Sequence, residues 1–469
     1  MKKNHSTKRT LIGSMMSLVL CITMLLGTTL AWFTDTASTS VHKIESGKLK
    51  VALIDKEGNP LTEALTWVKA SGHKEEEILW EPGASYHLPS FQIKNDGNLA
   101  LKYKLQIAGI EEGDAKLLEV LDFTFTEGDN DTLDLSEEGH LAAGETSEPI
   151  TISAKMQETA GNEYQGMTVN GIAITVIATQ DTVENDSYGN TYDENAAYPA
   201  YSQTELDSQL ENATDNTVIA IPATKSMKLS QTSVIKKNVI LSGAGPDQTV
   251  LKTEDKNYLV ANDNVTIKNI TIDGTGSSSM DDNGVIKFTG NNAVLDNVKV
   301  IGGGQNTYGH GVRMEVGKNG SSTIKNSVIS GAFRGIQSFS LDGTLKIENT
   351  TLAAECYCLN VDGGTGKLVI NKSTLMGWTS YTDSMESATF TDCTFEVNKN
   401  SYGYNCVRGY TETTFVNCDF GDEFWFGAAN TAVTVTFENC RYKGTLITTE
   451  NVNEILEPDD NEKTNVVVK

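Results

Sequence analysis

The stretch that decides the fold is TFVNCDF, residues 414–420. Two near copies flank it, TFTDCTF at residues 389–395 and TFENCRY at residues 436–442. Each copy contains a short run of alternating apolar residues, then Asn or Asp, and then Cys. A strand-like phrase that recurs at a nearly constant interval indicates a repeat protein, in which equivalent residues of successive copies contact one another.

Weaker copies of the phrase precede these three and lack the cysteine. They begin at Val265, Ala293, Ser322, Leu345 and Leu368. We assign the recurring polar step to the following residues: Asn238, Asn269, Asn297, Asn326, Asn349, Asp392, Asn417 and Asn439. The copy at Lys372 breaks the rule, and successive copies lie 20 to 31 residues apart. This period predicts a parallel β-helix with three short strands in each coil, stacked at about 4.8 Å, and a ladder of hydrogen-bonded Asn side chains.

The repeated cysteine follows the ladder residue in three consecutive coils, at Cys393, Cys418 and Cys440. Earlier coils place Ile, Val, Ser or Thr there, so we expect the position to point inward and the thiols to pack as small apolar groups. The coil rise also allows a disulfide between adjacent coils. A metal site is not favoured, because the spacing is not CxxC and a straight column cannot surround an ion tetrahedrally.

An end of a solenoid exposes strand edges and needs a cap. Residues 202–213 predict a short amphipathic helix that carries Leu206 and Leu210, with Thr204 as its N-cap. The whole arrangement resembles the pectin-lyase-like superfamily of right-handed parallel β-helices over about residues 201–450. The resemblance is specific for the fold and weak for the activity.

Polysaccharide-cleaving members of such folds use paired carboxylates, which glycoside hydrolysis requires. MDDNGVIKF and YGHGVRMEV provide weak candidates in adjacent coils: Asp281, Asp282, His310 and Arg313. Aligning Gly284 with Gly311 places Asn283, rather than a carboxylate, beside His310. These stretches resemble the Asp-pair and Gly-His-Gly coils of polygalacturonases, but the Asn-Thr-Asp and Arg-Ile-Lys motifs of that family are missing. The acidity of the chain would also repel a polyuronate unless calcium bridged the two. We therefore favour a non-catalytic module over an enzyme.

Residues 32–180 show no such period and alternate like an antiparallel β-sandwich. Residues 30–53, 81–103 and 163–180 resemble three successive motifs of the SipW-dependent TasA/camelysin family of biofilm-matrix proteins. That resemblance implies a jelly-roll-like sandwich and fibre assembly, in which the mature N-terminus, with Trp32 and Phe33, adds as a strand to the next subunit. A camelysin-like metallopeptidase is less favoured, because the chain contains no HExxH motif.

Residues 1–31 read as a signal peptide, with a basic start, an apolar run and a cleavage site between Ala31 and Trp32. The predicted domains are the signal peptide, the sandwich at 32–180, a polar linker at 181–201, the β-helix at 202–455 and an acidic tail at 456–469. We expect a secreted protein of the extracellular matrix or cell surface, with no membrane association after cleavage. The formal net charge of −25 argues against nucleic acid as a partner.

The sequence thus predicts an all-β Gram-positive surface or matrix protein, whose β-helix displays or binds a cell-wall or host glycan. The alternative is a hydrolase or lyase acting on polysaccharide. No cofactor is required, although the acidic surface would accept calcium. Aromatic residues of the late coils are the candidate glycan contacts: Trp378, Tyr381, Tyr404, Tyr410 and Trp425, with Phe424 and Phe426 beside them.

Overall fold

A computed structural model describes most of the chain from residue 48 onward. The described residues are 48–62, 65–69, 80–108, 112–113, 115–128, 131–135, 137–167, 169–170, 173–181, 196–277, 283–303, 309–330, 332–399, 402–409, 411–427, 432–456 and 464–469. They form two compact units that divide between residues 176 and 195. Within these residues, no helix has the length and apolar character needed to span a membrane. The predicted signal peptide and the assembly residues Trp32 and Phe33 lie outside the described residues.

The second unit is a right-handed parallel β-helix of about nine turns, as the repeat predicts. In the described part of this unit, 27 strands join into one sheet, and the coils contribute strands to three faces, here called A, B and C. Face A contains Val218–Ala220, Ile240–Ser242, Ser321–Lys325, Thr344–Glu348, Lys367–Asn371, Ser387–Thr391, Thr413–Val416, Val433–Glu438 and Thr464–Val468. Face B contains Thr224–Leu229, Thr249–Asp255, Val328–Ser330, Thr394–Glu396, Asp419–Phe420 and Arg441–Tyr442. Face C contains Ser233–Ile235, Leu259–Ala261, Ile286–Phe288, His310–Met314, Arg334–Ser338, Cys406–Gly409 and Trp425–Gly427.

Four long strands continue around a corner of the coil. Thr266–Ser277 and Val294–Ile301 run from face A into face B, and Thr351–Val361 and Thr374–Tyr381 run from face B into face C. The register confirms the alignment of the cysteine copies, because Phe390 pairs with Phe415 and Phe415 with Phe437. These phenylalanine side chains are fully buried and stack ring on ring at 4.9 and 5.3 Å. Inward-facing apolar residues of successive coils thus form one continuous core.

The ladder residues turn the chain from face A to face B. From Asn269 to Asn439, each one adopts a left-handed backbone with φ between 46° and 56°, including the exception, Lys372. Asn and Asp tolerate this conformation better than other residues that carry a Cβ. The side chains also bond to one another, for example from Asn349 Nδ2 to Asn326 Oδ1 at 2.9 Å and from Asn439 Nδ2 to Asn417 Oδ1 at 2.8 Å. The backbone conformation and the ladder together explain the recurrence of Asn.

Asn238 does not belong to this ladder, which corrects the sequence assignment. It precedes its face-A strand and lies in a second ladder, at the corner that leads from face C to face A. There Asn264 Nδ2 donates to Asn238 Oδ1 at 2.7 Å, and Asn292 Nδ2 donates to Asn264 Oδ1 at 3.0 Å. Both corners require a left-handed residue, so the pattern of Asn residues alone does not distinguish them.

The register beside Gly284 also differs from the sequence alignment. Ile286, rather than Val285, pairs with Val312, and the N–H of Val285 bonds to the carbonyls of His310 and Gly311. Gly284 has a φ of +72°, and this left-handed turn delays the start of the strand by one residue. The predicted alignment of Asn283 with His310 is therefore wrong, because Gly284 takes that place in the register.

The N-terminal end of the β-helix is covered by the helix Gln203–Asn212, as predicted. Leu206 and Leu210 are its buried residues. Its N-cap is Ser202 rather than Thr204, since Ser202 Oγ accepts a hydrogen bond from the Glu205 N–H at 3.2 Å. The helix thus begins two residues earlier than the sequence indicated, and a Ser in extended conformation supplies the oxygen.

At the C-terminal end, Arg441–Tyr442 and Thr445–Leu446 form a hairpin, and a 3-10 helix at Val452–Ile455 buries Val452 and Ile455. The predicted acidic tail, residues 456–469, contains the last strand, Thr464–Val468. This strand pairs in parallel with Val433–Glu438 and packs Val466 and Val468 against the core. Three consecutive valines suit a strand, and two of them, Val466 and Val468, share the inward side.

The first unit consists of antiparallel sheets. This confirms the antiparallel strand direction that the sequence analysis predicts for the sandwich. Its strands are Val51–Ile54, Val68–Lys69, Ser85–His87, Gln92–Asn95, Leu101–Ala108, Glu112–Gly113, Leu121–Glu127, Asp131–Thr132, Gly139–Leu141, Ile150–Met156, Val169–Asn170 and Ala173–Gln180. Two 3-10 helices accompany them, Ala115–Val120 and Asn162–Tyr164. Phe91, Ile93 and Leu101 are completely buried and mark its core.

Candidate functional site

The four predicted catalytic residues do not form a described site. Asp281 and Asp282 lie outside the described residues. His310 belongs to face C, but its side chain is completely buried, so it does not face a surface on which a substrate would lie. Arg313 points outward, and its Nε donates to Glu315 Oε1 at 2.8 Å. The strand period explains the difference, because His310 shares the inward parity of Val312 and Arg313 does not.

The aromatic candidates divide in the same way. Tyr381 is completely buried, and its hydroxyl shares a hydrogen bond of 2.5 Å with the Thr413 hydroxyl, so it belongs to the core. Phe424 and Phe426 are buried as well, and Tyr410 lies outside the described residues. Trp378, Tyr404 and Trp425, by contrast, are partly exposed and lie together at the edge of face C, with ring centroids 5.2 and 6.4 Å from Trp378.

The structure adds Tyr357 to this group, a residue that the sequence pattern missed. Tyr357 is in register with Trp378, and the two rings stack at 4.8 Å with an angle of 18° between their planes. A ring stack with the spacing of the coils runs along the solenoid axis, so the rings present their edges, rather than their faces, to solvent. Burial raises the pKa of the Tyr357 hydroxyl above its usual value.

Two arginines that the sequence analysis also missed lie over these rings. The guanidinium of Arg408 lies 5.2 Å from the Trp378 ring centroid and 5.5 Å from that of Trp425. The guanidinium of Arg334 lies 5.4 Å from the Tyr357 ring centroid. Contact with an aromatic ring fixes the plane of a guanidinium. The N–H groups around the edge of that plane can still donate hydrogen bonds to an anion. We call Arg334, Tyr357, Trp378, Arg408 and Trp425 the arginine–aromatic ridge.

Arginine is scarce in this chain, and its distribution is uneven. The sequence contains five arginines: Arg9, Arg313, Arg334, Arg408 and Arg441. Three of them lie on face C, in a protein whose formal net charge is −25. Positive guanidinium groups are therefore concentrated on one face of a negatively charged protein. This points to a local role of these arginines rather than to a contribution to solubility.

A hydrogen-bonded network connects the ridge with a carboxylate on the same face. Arg334 Nη1 donates to Gln337 Oε1 at 3.1 Å, and Gln337 Nε2 donates to Asp362 Oδ2 at 2.9 Å. Asn360 Nδ2 donates to both Gln337 Oε1 and Asp362 Oδ1, each at 2.9 Å. Gln337 and Asn360 pair in register on adjacent coils, so the network fixes these polar groups in a row along the axis.

Beside this network lies an open depression of about 260 Å³. Asp362, Ser380, Thr382 and Asp383 line it together with Val361 and Tyr381. Val361 pairs with Tyr381, so Asp362 and Asp383 belong to neighbouring coils, about 4.8 Å apart along the axis. The depression thus brings two carboxylates and two hydroxyls to one place. Among the described residues, no group of three or more His, Cys, Asp or Glu side chains is arranged to hold a metal ion.

Comparisons with known proteins give similarity of fold only. No family model and no curated protein matches the chain. Among solved structures, ORF18 of Geobacillus virus E2 has 12% identity and a TM-score of 0.39, with 51% of this chain covering 53% of that one. The A-module of the Azotobacter vinelandii mannuronan C-5 epimerase AlgE4 has 14% identity and a TM-score of 0.34, and the match covers 53% of this chain and 84% of the module. The catalytic domain of a GH87 α-1,3-glucanase has 11% identity and a TM-score of 0.33, and the match covers 90% of this chain and 98% of that domain.

This chain spans about half the length of the viral protein. Two of the three neighbours are glycan-active enzymes by name, but similarities this remote transfer no activity to this chain. None of the comparisons connects the first unit with the TasA/camelysin family, so that resemblance stays a prediction. The class that the structure itself defines is an all-β protein whose larger unit is a right-handed parallel β-helix.

Proposed function

We propose that this chain is a polysaccharide-binding protein, and that face C of its β-helix binds an anionic polysaccharide. The observation that carries the proposal is the arginine–aromatic ridge, with Arg334 and Arg408 held over aromatic rings on one face of a strongly acidic chain. A planar guanidinium binds a carboxylate or sulfate through two parallel hydrogen bonds. Neutral glycans, which stack on the faces of aromatic rings, find fewer such faces here, because the rings stack on each other.

The geometry of the solenoid favours a linear polymer. Arg334, Tyr357 and Trp378 pair in register on three consecutive coils, and Trp378 pairs with Cys406 in the coil that carries Arg408. A polysaccharide lying parallel to the axis would therefore pass Arg334 and, three coils further on, Arg408. An acidic group of the polymer would approach each of these two guanidinium groups.

Affinity measurements with a panel of polysaccharides test this proposal. We expect the protein to bind a polyuronate or a sulfated glycan more tightly than a neutral glucan, and to lose most of this preference in the double variant Arg334→Gln, Arg408→Gln. Arg441→Gln is the matched control, because Arg441 is exposed on face B and donates to the Gly444 carbonyl. Equal binding by the double variant and the control, or equal binding of neutral and anionic glycans, would contradict the proposal.

A second candidate function is cleavage of the bound glycan, and the depression at Asp362 and Asp383 favours it. Two carboxylates on neighbouring coils, one of them oriented by Gln337 and Asn360, are the groups that glycoside hydrolysis needs as acid and base or nucleophile. Release of reducing ends from the panel would support this function. Activity that survives both Asp362→Asn and Asp383→Asn would assign any cleavage to other residues.

Secretion remains part of the proposal, because an extracellular polysaccharide must be met outside the cell. N-terminal sequencing of the exported protein should begin at Trp32, as the predicted cleavage site requires. Assembly through the mature N-terminus is tested by deleting residues 32–40. A deleted protein that still forms fibres would argue against donation of a strand by this segment.

A further inference from the structure

Three cysteines occupy equivalent positions in consecutive coils. Cys393, Cys418 and Cys440 directly precede residues that pair in register, since Thr394 pairs with Asp419 and Asp419 with Arg441. Each cysteine has only 1% of its surface exposed. Each follows a ladder residue with left-handed backbone, so the three Cα–Cβ bonds leave the chain in the same direction. The thiols therefore form a column inside the corner between faces A and B.

Cys418 lies between Cys393 and Cys440 in this column, one coil from each. Each sulfur also bonds to the backbone carbonyl two residues before it, at 3.3 Å for Cys393 and at 3.4 Å for Cys418 and Cys440. The middle thiol thus has two neighbours at equivalent distances along the axis, and each outer thiol has one thiol neighbour in the column.

We propose that Cys418 is the shared partner in two alternative disulfides, Cys393–Cys418 and Cys418–Cys440, so that the oxidised protein carries one inter-coil bridge and one remaining thiol in this column. Cα atoms of in-register residues on adjacent coils lie about 4.8 Å apart, within the range of about 4.4 to 6.8 Å that a disulfide accepts. Cys393 and Cys440 are two coils apart, about 10 Å by the same spacing, and cannot join directly. This inference does not depend on the proposed glycan binding.

The chemistry is thiol–disulfide exchange with a small external disulfide, such as oxidised glutathione. Interaction with the two neighbouring thiols, together with burial, raises the pKa of the Cys418 thiol, whereas interaction with Cys418 lowers the pKa of Cys393 and Cys440. An outer thiolate therefore attacks first, forming a mixed disulfide and releasing one glutathione thiolate. Cys418 then attacks the protein sulfur of this mixed disulfide, its proton passes to the released thiolate, and a second glutathione leaves.

Because all three thiols are buried, exchange requires a local opening of the last coils. The rate should therefore rise in urea concentrations that loosen these coils without unfolding the protein. Once formed, the bridge connects the coil that carries Cys393 or Cys440 to the coil that carries Cys418. Covalent closure of a loop between coils stabilises the folded protein against unfolding of this end.

The experiment is incubation of the folded protein with oxidised glutathione, followed by acid quenching, alkylation and peptide mapping by mass spectrometry. We expect both disulfides, Cys393–Cys418 and Cys418–Cys440, in the wild-type sample, but never both in one molecule. The oxidised protein should have a Tm several degrees above that of the reduced protein. Cys440→Val should retain only the first bridge and Cys393→Val only the second. Cys418→Val should form neither, while circular dichroism confirms that it is folded.

The thiols of Cys356, Cys358 and Cys406 provide an internal control, because they are buried in the same β-helix and not disulfide-bonded but do not belong to the column. The inference is overturned if the wild-type protein stays fully reduced in the column, or collects only mixed disulfides with glutathione, under conditions that bridge a reference dithiol. A Cys393–Cys440 bridge in the folded Cys418→Val variant would overturn it as well, since it would show that the spacing of the coils does not select the partners.

Discussion

The two units of the molecule use asparagine in opposite ways. In the first unit, the completely buried Asn95 shares its two Nδ2 hydrogens among the carbonyls of Leu99, Leu141 and Ala142, while its Oδ1 accepts from the Gly97 N–H. In the β-helix, Asn349 donates its Nδ2 to Asn326 in the preceding coil. Asn95 thus connects several backbone groups at one place, whereas each ladder residue connects one coil to its neighbour.

This difference follows from the topology. Antiparallel strands that are distant in sequence meet at unique places, so a single side chain can connect several loops. A solenoid contacts only its neighbouring coils, so each contact recurs and each residue supports a local part of the structure. Substitutions in the first unit should therefore affect the whole unit, and substitutions in the β-helix should remain local unless they reach the common core.

The largest effect should come from placing a charge in the core of the solenoid. Cys418→Asp buries a carboxylate at a position that is 1% exposed, and we expect a loss of more than about 4 kcal/mol in the free energy of unfolding of the β-helix. Cys418→Val, the matched control, should cost less than about 1.5 kcal/mol, as similar-sized core substitutions do. Urea unfolding of both variants measures this difference, and similar losses would mean that the position is not buried in solution.

Asn95→Ala should have the next largest effect and lower the free energy of unfolding of the first unit by about 3 kcal/mol. The variant leaves three carbonyls and one N–H without the side chain that bonds them. Hydrogen exchange of peptides from the first unit should accelerate throughout that unit. If exchange rises only beside residues 95–99, the idea that Asn95 connects the loops of this unit is wrong.

Asn349→Ala should lower the free energy of unfolding of the β-helix by about 1.5 kcal/mol. Its effect should be confined to the coils on either side. The variant loses one ladder hydrogen bond and places an alanine at a φ of 46°, where a residue with Cβ is strained. Asn349→Gly removes the same hydrogen bond without the strain, so it should lose less. Peptide-resolved hydrogen exchange checks both expectations, and a loss of protection across all coils would contradict the local character of the solenoid.

The smallest effect concerns a carboxyl group of the first unit. Partial burial, with the nearby Glu148, raises the pKa of Glu127 above its usual 4.5. The folded state therefore binds this proton more tightly than the unfolded chain, and stability falls as the pH rises from about 4.5 through the folded pKa. Glu127→Gln should stabilise the unit by a few tenths of a kcal/mol at pH 7, given the solvent exposure of the group, and by nothing below pH 4. Thermal unfolding at both pH values tests this, and an equal gain at both would exclude titration as the cause.

The sequence by itself determined the β-helix, its capping helix and the column of thiols. In a solenoid, equivalent residues of neighbouring copies are the residues in contact, so the interval between TFTDCTF, TFVNCDF and TFENCRY already specifies which side chains stack. The strand alternation of the first unit likewise indicated antiparallel sheets, although it did not identify which strands pair.

Only the tertiary structure decided the composition of face C. A shift of one residue reverses the direction of a side chain in a strand, and turns such as that at Gly284 introduce such shifts without a clear signal in the sequence. The pattern also did not show that Asn238 belongs to a second corner, since both corners require a left-handed residue. The burial of His310 and Tyr381 became clear only once the inward side of each strand was known. Nor could the pattern bring Arg334 and Arg408 together with Tyr357 and Trp378, because these residues come from four coils and meet only where the coils stack.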